Sequence, residues 1–400
     1  SATNLDYPDV ATPSNEDILA TPEPLTVLNE SEINFKQLTL EEAVHQALSN
    51  STVLRDMGAA VLRSPGGAAT TYDVALQEMD PRFGVTAALS AFDASFASTT
   101  FVEKNDRTIN NSFFGGGTRQ FKQDLGTLQT QISKRGATGT EYALRNFTDY
   151  DANNAPSNQF RSVFQTWIDA EVRHPLLQGR GVEFNRIAGP SGTPGAMSGV
   201  VLARLNTDIS LTDFEMSVRD FVSNVENAYW DLYFAYRDLD TKIAARDSAL
   251  ETWNTINALF IAGRQGGEAE KEAQAREQYY RFQEQVQNAL SGRLIDGTRT
   301  NNGSSGGSFR GQGGVMTSER RLRLMMGIPI NDGHLLRPSD EPIEAKIVFD
   351  WDSILVESLT RRAELRRQKW VVKRREKELQ ASANFLLPTL DMIGRYRWRG

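Results

Sequence analysis

Few residues in this chain have the types and the spacing that enzyme chemistry or metal binding requires. The three histidines, His45, His174 and His334, stand far apart, and none belongs to a spaced ligand motif. The chain contains no cysteine, so thiolate catalysis, disulfides and cysteine-based zinc sites are excluded. Acidic residues are abundant, but none is set beside a His or Ser in a catalytic arrangement. We therefore predict a protein that is not an enzyme and needs no cofactor.

Two glycine-rich segments and one basic run suggest phosphate or nucleic-acid binding only at first sight. The segments FGGGTR and GRGVEF lack the lysine and the strand–loop–helix setting of a phosphate-binding loop. The basic run at 361–379 also carries Glu364, Glu376 and Glu378, and its apolar residues recur at helical spacing, which favours the solvated face of a helix. With 44 Lys and Arg against 51 Asp and Glu, the net charge of −7 argues against a general nucleic-acid partner.

The clearest strand pattern lies at 160–173, where apolar and polar residues alternate. Its apolar side comprises Phe160, Phe164, Ile168, Ala170 and Val172, and its polar side comprises Arg161, Gln165, Asp169, Glu171 and Arg173. Trp167 is an exception on the polar side. The pattern predicts a two-faced strand that ends in the segment RHPLLQGRG (173–181).

A very long helix is predicted from Val200 to Ala262, a stretch without proline or internal glycine. Its apolar residues recur at threes and fours, as in a coiled-coil seam. At 1.5 Å per residue it would be roughly 95 Å long, which no compact core needs. The segment AGRQGG (262–267) breaks this helix, and 268–290 predicts a second helix that turns back. No apolar run approaches the ~20 residues of a membrane-spanning helix.

Shorter patterns predict the elements around these two features. Thr39 with Glu42 three residues later is a capping box at the start of a helix. From Phe83 the period changes to that of a strand, with alternation at Val85, Ala87, Leu89 and Ala91. Further strands are predicted near 119–133 and 139–150.

A helix–strand unit is repeated at a shift of 311 positions. Residues 40–55 align with residues 351–366 without gaps, so that Leu48 is aligned with Leu359. The second copy continues into an alternating strand within 385–400. Since no return strand follows in that copy, we expect the chain to be a piece truncated in its second repeat.

Taken together, these segments resemble the outer-membrane efflux protein family, the TolC-like channel-tunnels. The resemblance covers about 38–400, and His174 replaces the usual Gln of the family's QPLL-type segment. The segments that carry it are LTLEEAVHQALSNS, FDASF, HPLLQGRG with Asn185 and Arg186 after it, VENAYWDLYFAYRDL, AGRQGGEAEKEAQAR and ERRLRLMMGIP.

The resemblance implies an α+β fold with an internal helix–strand repeat. Long antiparallel coiled-coil-like helices would form a periplasmic tunnel, and amphipathic antiparallel strands would contribute to a trimeric outer-membrane β-barrel. Each subunit of the homotrimer would supply four strands to a twelve-stranded barrel in outer-membrane lipid. Such a passive conduit exports small molecules or proteins, working with a periplasmic adaptor protein and an inner-membrane efflux pump or an ABC-type transporter, as in type I secretion. The helical part would lie in the periplasm.

The resemblance also assigns roles to two sets of residues. The turn of the helical hairpin would contact the adaptor through Ala262, Gly263, Arg264, Gly266 and Gly267, although QGGEAEKEAQA departs from the family's usual pattern there. The passage from barrel strand to tunnel helix would be a sharp swivel, which explains a proline and two backbone-permissive glycines. Its residues are His174, Pro175, Leu176, Leu177, Gly179, Gly181, Asn185 and Arg186.

The predicted organisation divides the chain into eight regions. They are an acidic mobile lead-in at 1–37, first-repeat helices at 38–82, barrel strands and an extracellular loop region at 83–188, the tunnel hairpin at 199–292, a Gly/Ser-rich insertion at 293–314, a short helix and linker at 315–349, the second-repeat helix at 350–384 and the start of a strand at 385–400. The extra strands within 103–159 could lengthen the barrel hairpin outside the membrane or form a plug.

Two other functions remain open at this point. A periplasmic adaptor also has a long helical hairpin, but it would show paired β-rich halves around that hairpin instead of a helix–strand repeat. A soluble coiled-coil scaffold would leave the aromatic, alternating strands unexplained. A requirement for detergent separates the channel from both.

Overall fold

The computed structural model describes residues 34–54, 69–108, 110, 120–190, 192–295 and 310–400. Most of the lead-in at 1–37 and of the insertion at 293–314 lies outside these ranges. The elements in chain order are β1 (Asn34–Leu38), α1 (Leu40–Asn50), α2 (Asp73–Met79), α3 (Val85–Ser90), β2 (Ser95–Thr108), β3 (Gln120–Arg135), β4 (Glu141–Asn153), β5 (Ser162–Pro175), α4 (Val182–Ala188), α5 (Val200–Ile261), α6 (Ala269–Ser291), β6 (Arg293–Ile295), β7 (Arg310–Gln312), α7 (Val315–Met326), β8 (His334–Pro338), α8 (Trp351–Arg361), α9 (Ala363–Phe385) and β9 (Asp391–Arg399).

The chain forms two compact units, and the boundary between them falls within α5. The first unit comprises Ser1–Thr71 and Ser217–Phe349, and the second comprises Tyr72–Met216 and Asp350–Gly400. The fold is therefore mixed, with one very long helix and an antiparallel sheet, as the sequence predicts. None of the helices in the described ranges combines the length and the apolar character needed to cross a membrane.

The core of the first unit forms where α1, α5 and α7 pack together. One side of α5 buries large apolar side chains because they recur at threes and fours along the helix. The cluster includes Ala43 and Ala47 from α1, Phe221, Val225, Tyr229 and Leu232 from α5, and Leu322, Met325 and Met326 from α7. Beside it, β1 pairs in parallel with β8, from Asn34 opposite His334 to Leu38 opposite Pro338.

A buried ion network fixes α7 against the loop that leads to β8. The side chain of Arg323 is 1% exposed and forms an ion pair with Glu319 one turn earlier. Its guanidinium also donates to Asp332 Oδ1 at 2.7 Å, to the carbonyl of His334 at 2.7 Å and to that of Pro329 at 3.0 Å. Burial raises the pKa of the Glu319 carboxyl, and the hydrogen bond and charge of Arg323 oppose that rise. Removal of any one member would therefore leave another buried polar group of the network without its partner.

The second unit is built on an antiparallel sheet whose five strands, among the described residues, follow the order β2-β3-β4-β5-β9. The strands predicted near 119–133 and 139–150 are confirmed as β3 and β4, and the strand predicted at 160–173 is β5. The strand within 385–400 is β9, which pairs with β5 from Trp167 opposite Arg399 to Pro175 opposite Asp391. This sheet holds one strand more than the four per subunit that the resemblance implies.

One secondary-structure prediction was wrong. The alternation of Val85, Ala87 and Leu89 predicted a strand, but these residues form the helix α3. The segment is rich in alanine, a strong helix former, and only Ala88 within it is buried. Just before α3, Asp80 stabilises a turn by accepting hydrogen bonds from the amides of Arg82 and Phe83. The strand β2 begins only at Ser95.

The predicted repeat agrees with the structure at the first helix of each copy. The helix α1 spans Leu40–Asn50 and α8 spans Trp351–Arg361, so both ends correspond at the shift of 311. Thr39 and Asp350 cap the two helices with their side chains, and Thr39 with Glu42 forms the predicted capping box. The second copy departs from a single helix over 350–384, because the extended backbone of Arg362 separates α8 from α9.

Removal of the buried guanidinium will test how much the first unit depends on it. We expect Arg323→Ala to lower the opening free energy of α7 by roughly 3–5 kcal/mol, because the buried Glu319 charge loses its partner. Hydrogen exchange of the α7 amides in the full chain measures this quantity. The matched control is Arg321→Ala, whose side chain is exposed two residues away and which should change α7 exchange little. Equal effects of the two variants would contradict the role assigned to the network.

Candidate functional site

The five-stranded sheet of the second unit has one face that is apolar and open to its surroundings. The register places Ile132 opposite Leu144, and Ala170 and Ile168 opposite Tyr396 and Trp398. Trp398 is 70% exposed and Tyr396 is 74% exposed, although such side chains are usually largely buried. Exposed large apolar residues on this face are Phe96, Val102, Leu128, Ile132, Tyr142, Leu144, Phe164, Ile168, Val172, Met392, Tyr396 and Trp398. A continuous apolar surface of this kind marks contact with lipid or protein.

The opposite face of the sheet is mostly polar and is crossed by ion pairs, although Phe101, Val163 and Ile393 are exposed on it. Glu171 on β5 accepts from Arg145 on β4 at 2.9 Å and from Arg395 on β9 at 2.5 Å. Arg145 in turn donates from Nε to Gln131 Oε1 on β3 at 3.3 Å. A single chain of polar contacts therefore runs across four neighbouring strands. Beside it, Arg397 and Asp169 form a two-pronged ion pair, with N–O distances of 2.6 and 2.8 Å.

Trp167, the aromatic exception on the polar side of β5, has a structural explanation. Its ring stacks on Phe147 of the neighbouring strand, with ring centroids 5.1 Å apart. The guanidinium carbons of Arg397 and Arg399 lie 5.9 and 5.6 Å from its centroid. Cation–π and stacking contacts place this ring among charges without disturbing the alternation.

The predicted swivel lies where β5 ends at Pro175 and α4 begins at Val182. Gly179 has φ +85° and Gly181 has φ +106°, backbone conformations that residues with a Cβ rarely adopt. The glycines in this motif are therefore required by the sharp change of chain direction. Arg186 and Leu177 are exposed at the surface of this junction, so the structure does not bring their side chains into its interior.

Asn185 holds the junction together from the first turns of α4. It is fully buried, and its Nδ2 donates to the carbonyls of Gly179 and Gly181, both at 2.8 Å. The Nδ2 of this buried amide is paired with these two carbonyls, whereas its Oδ1 is buried without a hydrogen-bond partner among the described residues. The motif predicted from Asn185 thus has a geometric role: its side chain closes the loop between strand and helix.

The turn between β3 and β4 also enters this junction, which the sequence did not predict. Thr140 Oγ1 lies 2.7 Å from His174 Nδ1, and the amide of Gly181 donates to the carbonyl of Thr138 at 3.2 Å. A Cβ on Gly139 would meet the carbonyl oxygen of Gly179 at 2.4 Å, so only glycine fits there. The segment RGATGT has the glycine-containing turn signal between two alternating strands, but its docking partner is distant in sequence.

The junction is further tied to the end of α9 and the segment before β9. The amide of Gly179 donates to Asn384 Oδ1 at 2.7 Å, and the amide of Leu176 donates to the carbonyl of Leu390 at 2.7 Å. These contacts link the two repeat copies within the second unit. Within the described ranges, no cluster of three or more His, Asp and Glu side chains could hold a metal ion.

The second predicted site, the turn between α5 and α6, is a Schellman motif. The amide of Arg264 donates to the carbonyl of Leu259, and that of Gly263, with φ +63°, donates to Phe260. A Cβ on Gly267 would meet the amide nitrogen of Phe260 at 2.2 Å, and Gly266 has φ +98°. Gly263, Gly266 and Gly267 are therefore explained by turn geometry, and Ala262, Gly263 and Arg264 are exposed.

Comparison with known proteins finds similar chains among solved structures. No protein-family model matches the chain, and no curated protein matches it. Similar solved structures are the outer membrane protein VceC from Vibrio cholerae (9% identity, 90% of this chain and 67% of that chain, TM-score 0.46), the CmeC outer membrane channel from Campylobacter jejuni (12%, 90% and 61%, 0.44) and CusC, which forms a transmembrane channel (9%, 90% and 60%, 0.49).

All three are described as outer-membrane proteins or transmembrane channels, the class that the sequence resembles. The chain spans about two thirds of the length of the first and less of the other two. At such low identities and TM-scores, these likenesses say nothing of what the chain transports or what it assembles with.

Two glycines with the same backbone conformation provide a test of the docked turn. Gly139 and Gly195 have φ +88° and +85°, but an added Cβ at Gly195 would meet nothing within 4 Å. Alanine at either position costs roughly 1 kcal/mol of backbone strain. We expect Gly139→Ala to lower the free energy of unfolding by about 1–3 kcal/mol more than Gly195→Ala does, because the added Cβ overpacks against the Gly179 carbonyl. Urea unfolding of the two variants, followed by tryptophan fluorescence, measures the difference, and equal losses would contradict the docking.

Proposed function

We propose that the chain is a subunit of an outer-membrane channel-tunnel that passes solutes from the periplasm to the outside. The observation that carries this proposal is the sheet with one exposed apolar face and one ion-paired polar face. Such strands are stable at a boundary where lipid covers one face and water the other. A soluble scaffold would instead leave a dozen large apolar side chains in water.

The free edges of the sheet support assembly with other copies of the chain. In the described sheet, β2 and β9 are the outer strands and pair on one side only. Unpaired backbone groups are not tolerated in lipid, so a wall made from this sheet must close on further strands. Further copies are the simplest source, and we propose a homotrimer in the outer membrane whose helical part lies in the periplasm.

The remaining partners follow from the long helices. We propose that the α5–α6 turn contacts a periplasmic adaptor protein, which links the channel to an inner-membrane efflux pump or ABC-type transporter. Ala262, Gly263 and Arg264 are exposed in that turn and are suited to contact. Solutes cross passively through the lumen, and the chain makes or breaks no covalent bond on them.

Two arginine substitutions on opposite faces of β5 test the channel. The detergent-extracted protein is reconstituted in planar lipid bilayers, and single-channel current is recorded. Ile168→Arg places a charge on the lipid-facing side, which costs roughly 2–4 kcal/mol at the membrane midplane, so channels should become rare. Gln165→Arg lies on the polar side and should keep the number of channels while changing their conductance. Absence of discrete current steps in the unsubstituted protein would refute the proposal.

A charge reversal in the α5–α6 turn tests the adaptor contact. We expect Arg264→Glu to weaken binding of the periplasmic adaptor from the same cell by roughly tenfold, about 1.4 kcal/mol, with bilayer conductance unchanged. The control is Arg321→Glu, a charge reversal at another exposed arginine of the first unit. Binding isotherms with the soluble adaptor measure the effect. Unchanged affinity for Arg264→Glu would remove this residue from the contact.

A further inference from the structure

The hairpin formed by β3 and β4 is the feature of the sheet that the resemblance does not account for. It lies between β2 and β5, so that these two strands, which would otherwise be neighbours, are separated by two full strands. The strand β3 has 16 residues and β4 has 13. Either exceeds the ~9–11 residues that a tilted strand needs to cross a bilayer.

Both added strands are paired along their whole length. Residues of β3 pair with β2 from Ser133 opposite Ser95 to Gln120 opposite Thr108. The strand β4 pairs with β5 from Glu141 to Ala152. A plug folded away from the wall would not share continuous ladders with strands on both of its sides.

The two faces of the added hairpin continue the faces of the surrounding sheet. Leu128 and Ile132 lie on the apolar side of β3, and Tyr150 on that of β4 packs against Phe164 at an interplanar angle of 40°, with ring centroids 4.7 Å apart. On the polar side, Gln131 and Arg145 belong to the contact chain that reaches Glu171 and Arg395. A one-residue slip would reverse both faces, so this agreement fixes the register.

The turn of the hairpin is anchored at the end where β5 passes into α4. Thr138, Gly139 and Thr140 contact the junction through Gly181, Gly179 and His174, as described above. The hairpin is therefore held both along its strands and at its turn. Such fixation suits a permanent part of a wall better than a movable flap.

We infer that β3 and β4 line the lumen and widen the channel beyond the twelve strands that the resemblance implies. This inference rests on the proposed function. Three copies of the five described strands give fifteen strands, and barrel diameter grows roughly in proportion to strand number. The passage is then at least about 1.25-fold wider, and it admits hydrophilic solutes of correspondingly larger cross-section.

The absence of cysteine from the chain allows a direct test with single introduced thiols. Gln129→Cys and Thr130→Cys place a thiol on the polar and the apolar face of β3, at consecutive positions. Gln165→Cys and Thr166→Cys do the same on β5, which serves as the reference strand. Each variant is reconstituted in planar bilayers and treated with a water-soluble, positively charged methanethiosulfonate reagent during single-channel recording.

We expect stepwise loss of conductance, one step per copy, for Gln165→Cys and Gln129→Cys, and none for the two threonine positions. A response of Gln165→Cys without one of Gln129→Cys would overturn the inference while leaving the channel intact. If no variant and no unsubstituted protein conducts, the proposed function fails and the inference with it. Graded polyethylene glycols then measure the diameter of the opening, and a cut-off equal to that of a twelve-stranded barrel would refute the widening.

Discussion

Strict alternation along the strands is the constraint on which the second unit depends. Each residue of β5 lies on either the apolar or the ion-paired face. A one-residue slip in the strand register would move Glu171 onto the apolar face. The ladder from Gln131 through Arg145 to Glu171 and Arg395 pins that register across four strands. The polar face thereby specifies the sheet, while the apolar face determines the environment in which the sheet is stable.

Local signals in the sequence predicted most elements, and distant contacts explain the failures. The capping box of Thr39 is a three-residue pattern, so it is readable without a fold. At Val85–Ser90, small residues fit both periods, and alanine's helix propensity prevailed. The docking of Gly139 against Gly179 joins residues forty positions apart, which no local pattern reveals. The sequence singled out both Asn185 and Arg186, but only the structure separates the buried Asn185 from the exposed Arg186.

The strand-to-helix junction combines backbone freedom with tight anchoring. Gly179 and Gly181 adopt conformations closed to most residues, yet Asn185 pairs with both of their carbonyls. Asn384 binds the amide of Gly179 from α9, so the second repeat copy fixes the turn made by the first. The change of direction is thus a rigid corner, shaped by residues from three parts of the chain.

The outer strands β2 and β9 have a consequence for biogenesis. In the homotrimer proposed above, a copy that has not yet assembled presents β2 and β9, which pair on one side only in the described sheet, together with an apolar face, and this combination favours misassembly. Folding and closure of the proposed ring are then coupled, and a chaperone that covers these edges would favour correct assembly. Because the proposed closed ring needs every edge, a copy with one damaged edge would disrupt the assembly of the intact copies beside it, so such alleles are expected to be dominant over the normal gene.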